Sequence, residues 1–170
     1  MISRMLRRFA PQACLAAVLA VSGLVQAHVV PNMLVEADFA EDRSYRLRIN
    51  VDPRTFLAAD PTTLPPVPGS WYREQSPEQI AATHAKAQEY LAQALSLLLD
   101  GQKSPLPSCE IRAIDGEDNN PLKEETQEVH LLATARGILP PQTSGFQLEV
   151  GKSANTSLIL LHSLIGNAEQ

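Results

Sequence analysis

The chain has 170 residues, 44% of them hydrophobic, 5% aromatic and 19% charged, with 14 basic against 19 acidic side chains. That length suits one domain, and the composition is globular, neither disordered nor collagenous. A formal charge of −5 argues against a nucleic-acid binder, which would carry a basic face.

The stretch from Met1 to Gln12 holds Arg4, Arg7 and Arg8 and no acid, and an apolar run from Ala13 to Val25 leads into Gln26-Ala27. A basic start, a short apolar centre and small residues at the −3 and −1 positions describe a secretory signal peptide. The apolar run is shorter than the ~20 residues that a membrane helix needs. Cleavage is expected after Ala27, which makes His28 the first mature residue and the protein periplasmic or secreted. Cys14 precedes the apolar centre, which excludes a lipoprotein reading.

The mature chain, 28–170, reads as a single domain. Without Arg4, Arg7 and Arg8 it keeps 11 basic against 19 acidic side chains, a net charge of −8. Cys109 is then its only cysteine, so no internal disulfide is expected, and a chain of this size can bury a sufficient core without one. No second apolar stretch approaches the length of a membrane span.

Met33–Phe39 and Ser44–Val51 both alternate, with Tyr45, Leu47, Ile49 and Val51 on one face and a polar turn, Ala40-Glu41-Asp42-Arg43, between the two runs. This pattern predicts an antiparallel hairpin with one buried face. Asp52–Tyr72 holds five prolines (Pro53, Pro61, Pro65, Pro66, Pro68), each lacking a backbone donor, and reads as an ordered surface loop. Trp71 and Tyr72 at its end are the candidate binding-loop residues. Ser76-Pro77-Glu78-Gln79 carries a capping box with proline at the first helical position. Ile80, His84, Ala87 and Leu91 then recur at helical spacing.

The helix ends near Gln93 if Ala94–Leu99 is a strand turning at Asp100-Gly101; it runs on to Gly101 if Leu95, Leu98 and Leu99 continue it. The first option is favoured, because the next segment also looks like a strand. Alternation then marks Cys109–Ile114, Glu124–Arg136, Phe146–Val150 and Thr156–Leu164. Asp115–Pro121 and Pro140-Pro141-Gln142 break the pattern. About seven strands and one inserted helix, roughly 76–93, predict a mainly β fold: an antiparallel Ig-like β-sandwich. Spacing alone leaves a barrel open.

Catalytic motifs are missing. There is no Gly-x-Ser-x-Gly elbow, no His-Glu-x-x-His, no phosphate loop and no dinucleotide turn. Cys109 reads as a buried small hydrophobe, and the carboxylates are scattered over turns with nothing to select a pair. His84 sits on the apolar side of the helix, where a packed core or edge histidine is expected. His28 differs, because processing would give it a free α-amine beside its imidazole, two nitrogen donors that suit Cu(II) or Ni(II). His130 or His162, each within a strand, would complete such a site.

One resemblance adds to this reading. Ala27-His28 comes first, then a hairpin ending Val51-Asp52-Pro53. A helix leads into Tyr90-Leu91, followed by Leu97-Leu98-Leu99-Asp100-Gly101 and a closing Asn155-Thr156-Ser157-Leu158. This order resembles the exported N-terminal domains attached to hydrogenase/urease-accessory, nickel-permease-like membrane proteins, and it covers most of 28–170. The resemblance implies a sandwich domain, which in that class is followed by membrane helices; none of the shared motifs is catalytic. The expectation is therefore a non-enzymatic exported module with no cofactor, binding an unidentified protein or cell-envelope component. The alternative is a copper- or nickel-binding protein using His28.

Overall fold

A computed structural model describes residues 30–154 and 157–165. The expected signal segment, its cleavage point and His28 lie outside the described residues. Eight strands are found among those described: β1 (Asn32–Ala40), β2 (Ser44–Val51), β3 (Leu95–Leu99), β4 (Gln102–Ser104), β5 (Glu110–Asp115), β6 (Val129–Ile138), β7 (Phe146–Val150) and β8 (Ser157–Ile165). Three α-helices accompany them: α1 (Arg54–Leu57), α2 (Gly69–Arg73) and α3 (Pro77–Ala94). The fold is mainly β and sandwich-like. The short β4 brings the strands to eight where about seven were expected.

A larger sheet runs β5-β6-β2-β1-β8 and a smaller one β4-β3-β7. β1 pairs with β8 in parallel, and the remaining pairs are antiparallel. Alternation decides which side of the larger sheet is covered. Met33, Val35 and Ala37, then Tyr45, Leu47, Ile49 and Val51, then Ala133 and Ala135 turn inward against Leu95 and Leu97 of β3 and Tyr90, Leu91 and Ala94 of α3. Burial of such apolar area is the main force holding the layers together.

The α3 helix starts where the capping signal places it. Ser76 Oγ accepts from the Gln79 backbone N–H at 3.3 Å, and Gln79 Oε1 accepts from the Ser76 N–H at 2.8 Å. Its buried residues, Thr83, Ala87, Tyr90, Leu91 and Ala94, form one stripe. At Leu95 the backbone becomes extended, and β3 begins. Asp100 and Gly101 then take φ of 50° and 77°, the left-handed pair that a tight hairpin turn requires.

The proline-rich stretch departs from expectation. It is not a plain loop, because it holds α1, α2 and a 3-10 turn at Pro61–Thr63. Pro53 and Pro68 occupy the N-cap positions of α1 and α2, and Pro61 opens the 3-10 turn. A missing N–H costs little at those places. Trp71 and Tyr72 therefore stand on a short helix. The stretch is fastened to the start of β6 and to the segment before it: Val67 C=O accepts from Val129 N–H at 2.8 Å, and Arg73 donates to the Lys123 and Glu124 carbonyls at 2.7 and 2.9 Å.

Candidate functional site

In β6, Val129, Leu131, Ala133 and Ala135 face the core, so Glu128 and His130 emerge on the opposite side. The same parity in β2 turns Leu47, Ile49 and Val51 inward and leaves Asn50 and Asp52 on the outer side. The β2–β6 register pairs Asn50 with Leu132 and Val51 with Leu131. Continued by one residue, it sets Asp52 beside His130.

His130 Nδ1 lies 2.6 Å from Asn50 Oδ1, and Asn50 Nδ2 donates to Asn119 Oδ1 at 2.5 Å. Because the Asn50 amide nitrogen is committed to Asn119, its oxygen is the atom that meets the ring, and His130 Nδ1 carries the hydrogen. His130 Nε2 then points at Glu128 Oε1, 3.2 Å away, with Asp52 Oδ2 at 4.0 Å. Asn119 supports this geometry from the β5–β6 turn with φ of 61°, a conformation asparagine tolerates better than most residues.

Asp52 and Arg54 are 1% and 2% exposed. Arg54 Nε and Nη2 donate to Asp52 Oδ2 at 2.8 and 2.5 Å, and the Arg54 backbone N–H to Oδ1 at 2.9 Å. Arg54 Nη2 stands 3.8 Å from Glu128 Oε1. The hydrogen bond with His130 holds the Glu128 carboxyl below the usual carboxylate range, and the Arg54 charge adds to this against the effect of burial. One nitrogen and two carboxylate oxygens, from His130, Glu128 and Asp52, thus lie within 4.8 Å of one another. That set is capable of holding a divalent cation.

The remaining expected residues fall elsewhere. His162 lies in β8 opposite Ala37, with β1 and β2 between β8 and β6. Strand geometry separates it from His130 by about 14 Å across the sheet and about 17 Å along it. Tyr72 is tied to α3, its hydroxyl 2.7 Å from His84 Nε2 and the two rings stacked. Trp71, half-buried, packs beside Tyr72. Burial lowers the His84 pKa, which favours the neutral ring. Cys109 is half-buried, and burial pushes its thiol up to about 11.

Asp52, Glu128 and Asn50 were not selected from the sequence. Asn50 was legible on the face opposite Tyr45, Leu47, Ile49 and Val51, but Asp52 fell in the stretch read as a loop, and the register joining the two strands was not legible.

A second feature is an apolar cleft of about 850 Å³ between the sheets. Ala37, Phe39 and Leu160 line it from the larger sheet, and Leu98, Phe146 and Leu148 from the smaller. Val150, Ile159 and Leu160 remain well exposed on β7 and β8. No protein-family model, curated protein or solved structure matches this chain.

Proposed function

We propose that the chain is an exported, non-enzymatic, Ig-like sandwich domain that binds a protein or cell-envelope component through the apolar cleft between its sheets. The observation that carries this reading is the cleft itself: about 850 Å³, with aromatic and aliphatic walls and exposed Leu160 at its mouth. Volumes and linings of this kind are typical of ligand-accepting pockets, and exposed apolar surface beside one marks an interaction site. The basic and apolar pattern of 1–27 supports export. The resemblance to exported domains of nickel-permease-like membrane proteins supports a partner in the envelope.

The test is site-specific photo-crosslinking of the mature protein to envelope membranes. A photoreactive residue replaces Leu98 in the cleft or, in a parallel sample, Glu117 in the β5–β6 turn. A discrete adduct from position 98 alone supports the reading; equal labelling from both positions, or none from 98, overturns it.

One relationship favours a second reading, copper or nickel binding through a processed His28. The register of Leu34 with Asn50 places the start of β1 at the end of the sheet that carries Asp52 and His130. Asn32 is two strand spacings from His130, roughly 10 Å, and four extended residues reach about 13 Å. Of the two strand histidines, His130 is the one in reach. A Cu(II) and Ni(II) titration of the mature protein beside His28→Ala tests this reading, which loses its basis if the substitution leaves affinity unchanged.

A further inference from the structure

We propose that Asp52, Glu128 and His130 form a binding site for a divalent transition ion, of the Zn(II), Ni(II) or Cu(II) kind, that does not depend on the chain terminus. This goes beyond both readings above, since it needs neither the apolar cleft nor His28.

Orientation is the first support. The Asn119–Asn50–His130 relay places the ring hydrogen on Nδ1. His130 Nε2 then faces Glu128 Oε1 at 3.2 Å, a separation that a proton or a metal ion can bridge. A metal-ligating histidine typically donates its other ring N–H to a carbonyl or carboxylate oxygen, which fixes tautomer and direction. Asn50 fills that role here.

Spacing and charge agree. With metal–ligand bonds of about 2.0–2.1 Å, two atoms of a tetrahedral set stand roughly 3.3 Å apart, and the His130–Glu128 separation is 3.2 Å. Asp52 Oδ2 is 4.0 Å from His130 Nε2 and closes to the same spacing from the ring nitrogen with a shift of less than about an ångström. Two carboxylates stand against one guanidinium, so a carboxylate charge is left to meet a cation in this poorly solvated place. Arg54 Nε and Nη2 donate to Asp52 Oδ2, and Nη2 also pairs with Glu128 Oε1 at 3.8 Å. One imidazole with two carboxylates suits borderline divalent ions better than Cu(I), which prefers sulfur, or Mg(II), which prefers oxygen alone. The His130 and Glu128 side chains keep 14% and 26% exposure, so solvent reaches the site from one side and a further position stays open for water.

The competing account is a protonated His130 ion-paired to Glu128, with no metal. Isothermal titration of the metal-stripped mature protein with ZnCl₂ and with NiCl₂ separates the two, using His28→Ala, His130→Gln, Glu128→Gln and the surface control Glu117→Gln. Circular dichroism monitors the fold, and Asp52 is left intact because its loss threatens folding. The expected result is one-to-one binding, kept by His28→Ala and Glu117→Gln and weakened at least a hundredfold by His130→Gln and Glu128→Gln. The His130 Nε2 nitrogen resonance should also move when Zn(II) is added. Absence of binding by folded protein, or binding untouched by His130→Gln, overturns the proposal. Loss on His28→Ala overturns it too and leaves the terminal-histidine reading standing.

Discussion

Asp52 and Arg54, two positions apart in the chain, form an ion pair 2.5 Å long that is almost wholly withdrawn from water. Asp52 ends the hairpin and Arg54 opens α1, so the pair closes the corner where the larger sheet meets the proline-rich stretch. Arg54 Nη1 also donates to the Leu64 carbonyl at 3.4 Å. Removing either partner strands the other charge in a poorly solvated place. Arg54→Met or Asp52→Asn is therefore expected to lower unfolding stability by about 3–5 kcal/mol. The double replacement should cost clearly less than the sum of the two. Urea denaturation followed by circular dichroism measures all three, and additive losses would refute a coupled buried pair.

The relay that orients His130 makes its own prediction. Asn50→Leu removes the oxygen that holds the ring hydrogen on Nδ1 without touching a carboxylate. Metal affinity should fall about 10–100-fold, as with other supporting partners of ligating histidines. Zn(II) titration gives the affinity, and the ring-nitrogen shifts of His130 give the tautomer. A displaced tautomer with unchanged affinity would separate the relay from binding.

Ser76 caps α3 through the Gln79 N–H. Ser76→Ala should cost about 1 kcal/mol, read as a lowered urea midpoint with an unchanged slope. Pro77→Ala leaves the capping pair in place and should have a smaller effect. Equal losses from both substitutions would mean that the cap is not what starts the helix.

Asp100 is held by the β6–β7 connection. Its Oδ1 accepts from Gly145 N–H at 2.7 Å, Ser144 N–H at 3.0 Å and the Ser144 hydroxyl at 2.9 Å. The hydrogen bonds from Ser144 set its pKa below the ordinary carboxylate value. A carboxyl depressed in the folded state contributes stability above its unfolded pKa, near 4, and loses that contribution as pH falls through the folded value. Asp100→Asn tolerates the same positive φ, so the comparison isolates the charge. The substitution should lower the denaturation midpoint at pH 7, and the gap should close in acid. A gap independent of pH would contradict this origin.

Burial pushes the Cys109 thiol up to about 11. Against an ordinary cysteine near 8.5, alkylation by iodoacetamide at pH 8 should be slower by roughly a hundredfold. It should recover in denaturing urea. Rapid native labelling would mean that the thiol is exposed more often than its packing implies.

Much of this molecule is local in origin. Strand positions, the inward faces of β1, β2 and β6, the start of α3 at Ser76-Pro77 and the Asp100-Gly101 turn follow from alternation, capping and left-handed turn chemistry. These act over a few residues and leave a direct trace in the sequence. The proline-rich stretch was misread because proline forbids helix interiors but suits helix starts, which is where Pro53, Pro61 and Pro68 are found.

What only the tertiary structure decided is pairing. The end of α3 at Ala94 rests on Leu97 meeting Leu148 across β3 and β7, since Leu95, Leu98 and Leu99 alone fit either a helix or a strand. The parallel β1–β8 pair and the meeting of Asn50 with His130, 80 positions apart, rest on the same kind of contact. Register is set by burying one face of each strand against distant partners. Alternation therefore set His130 opposite Val129 and Leu131 in its strand, and only the packed core brought Asp52 and Glu128 to it.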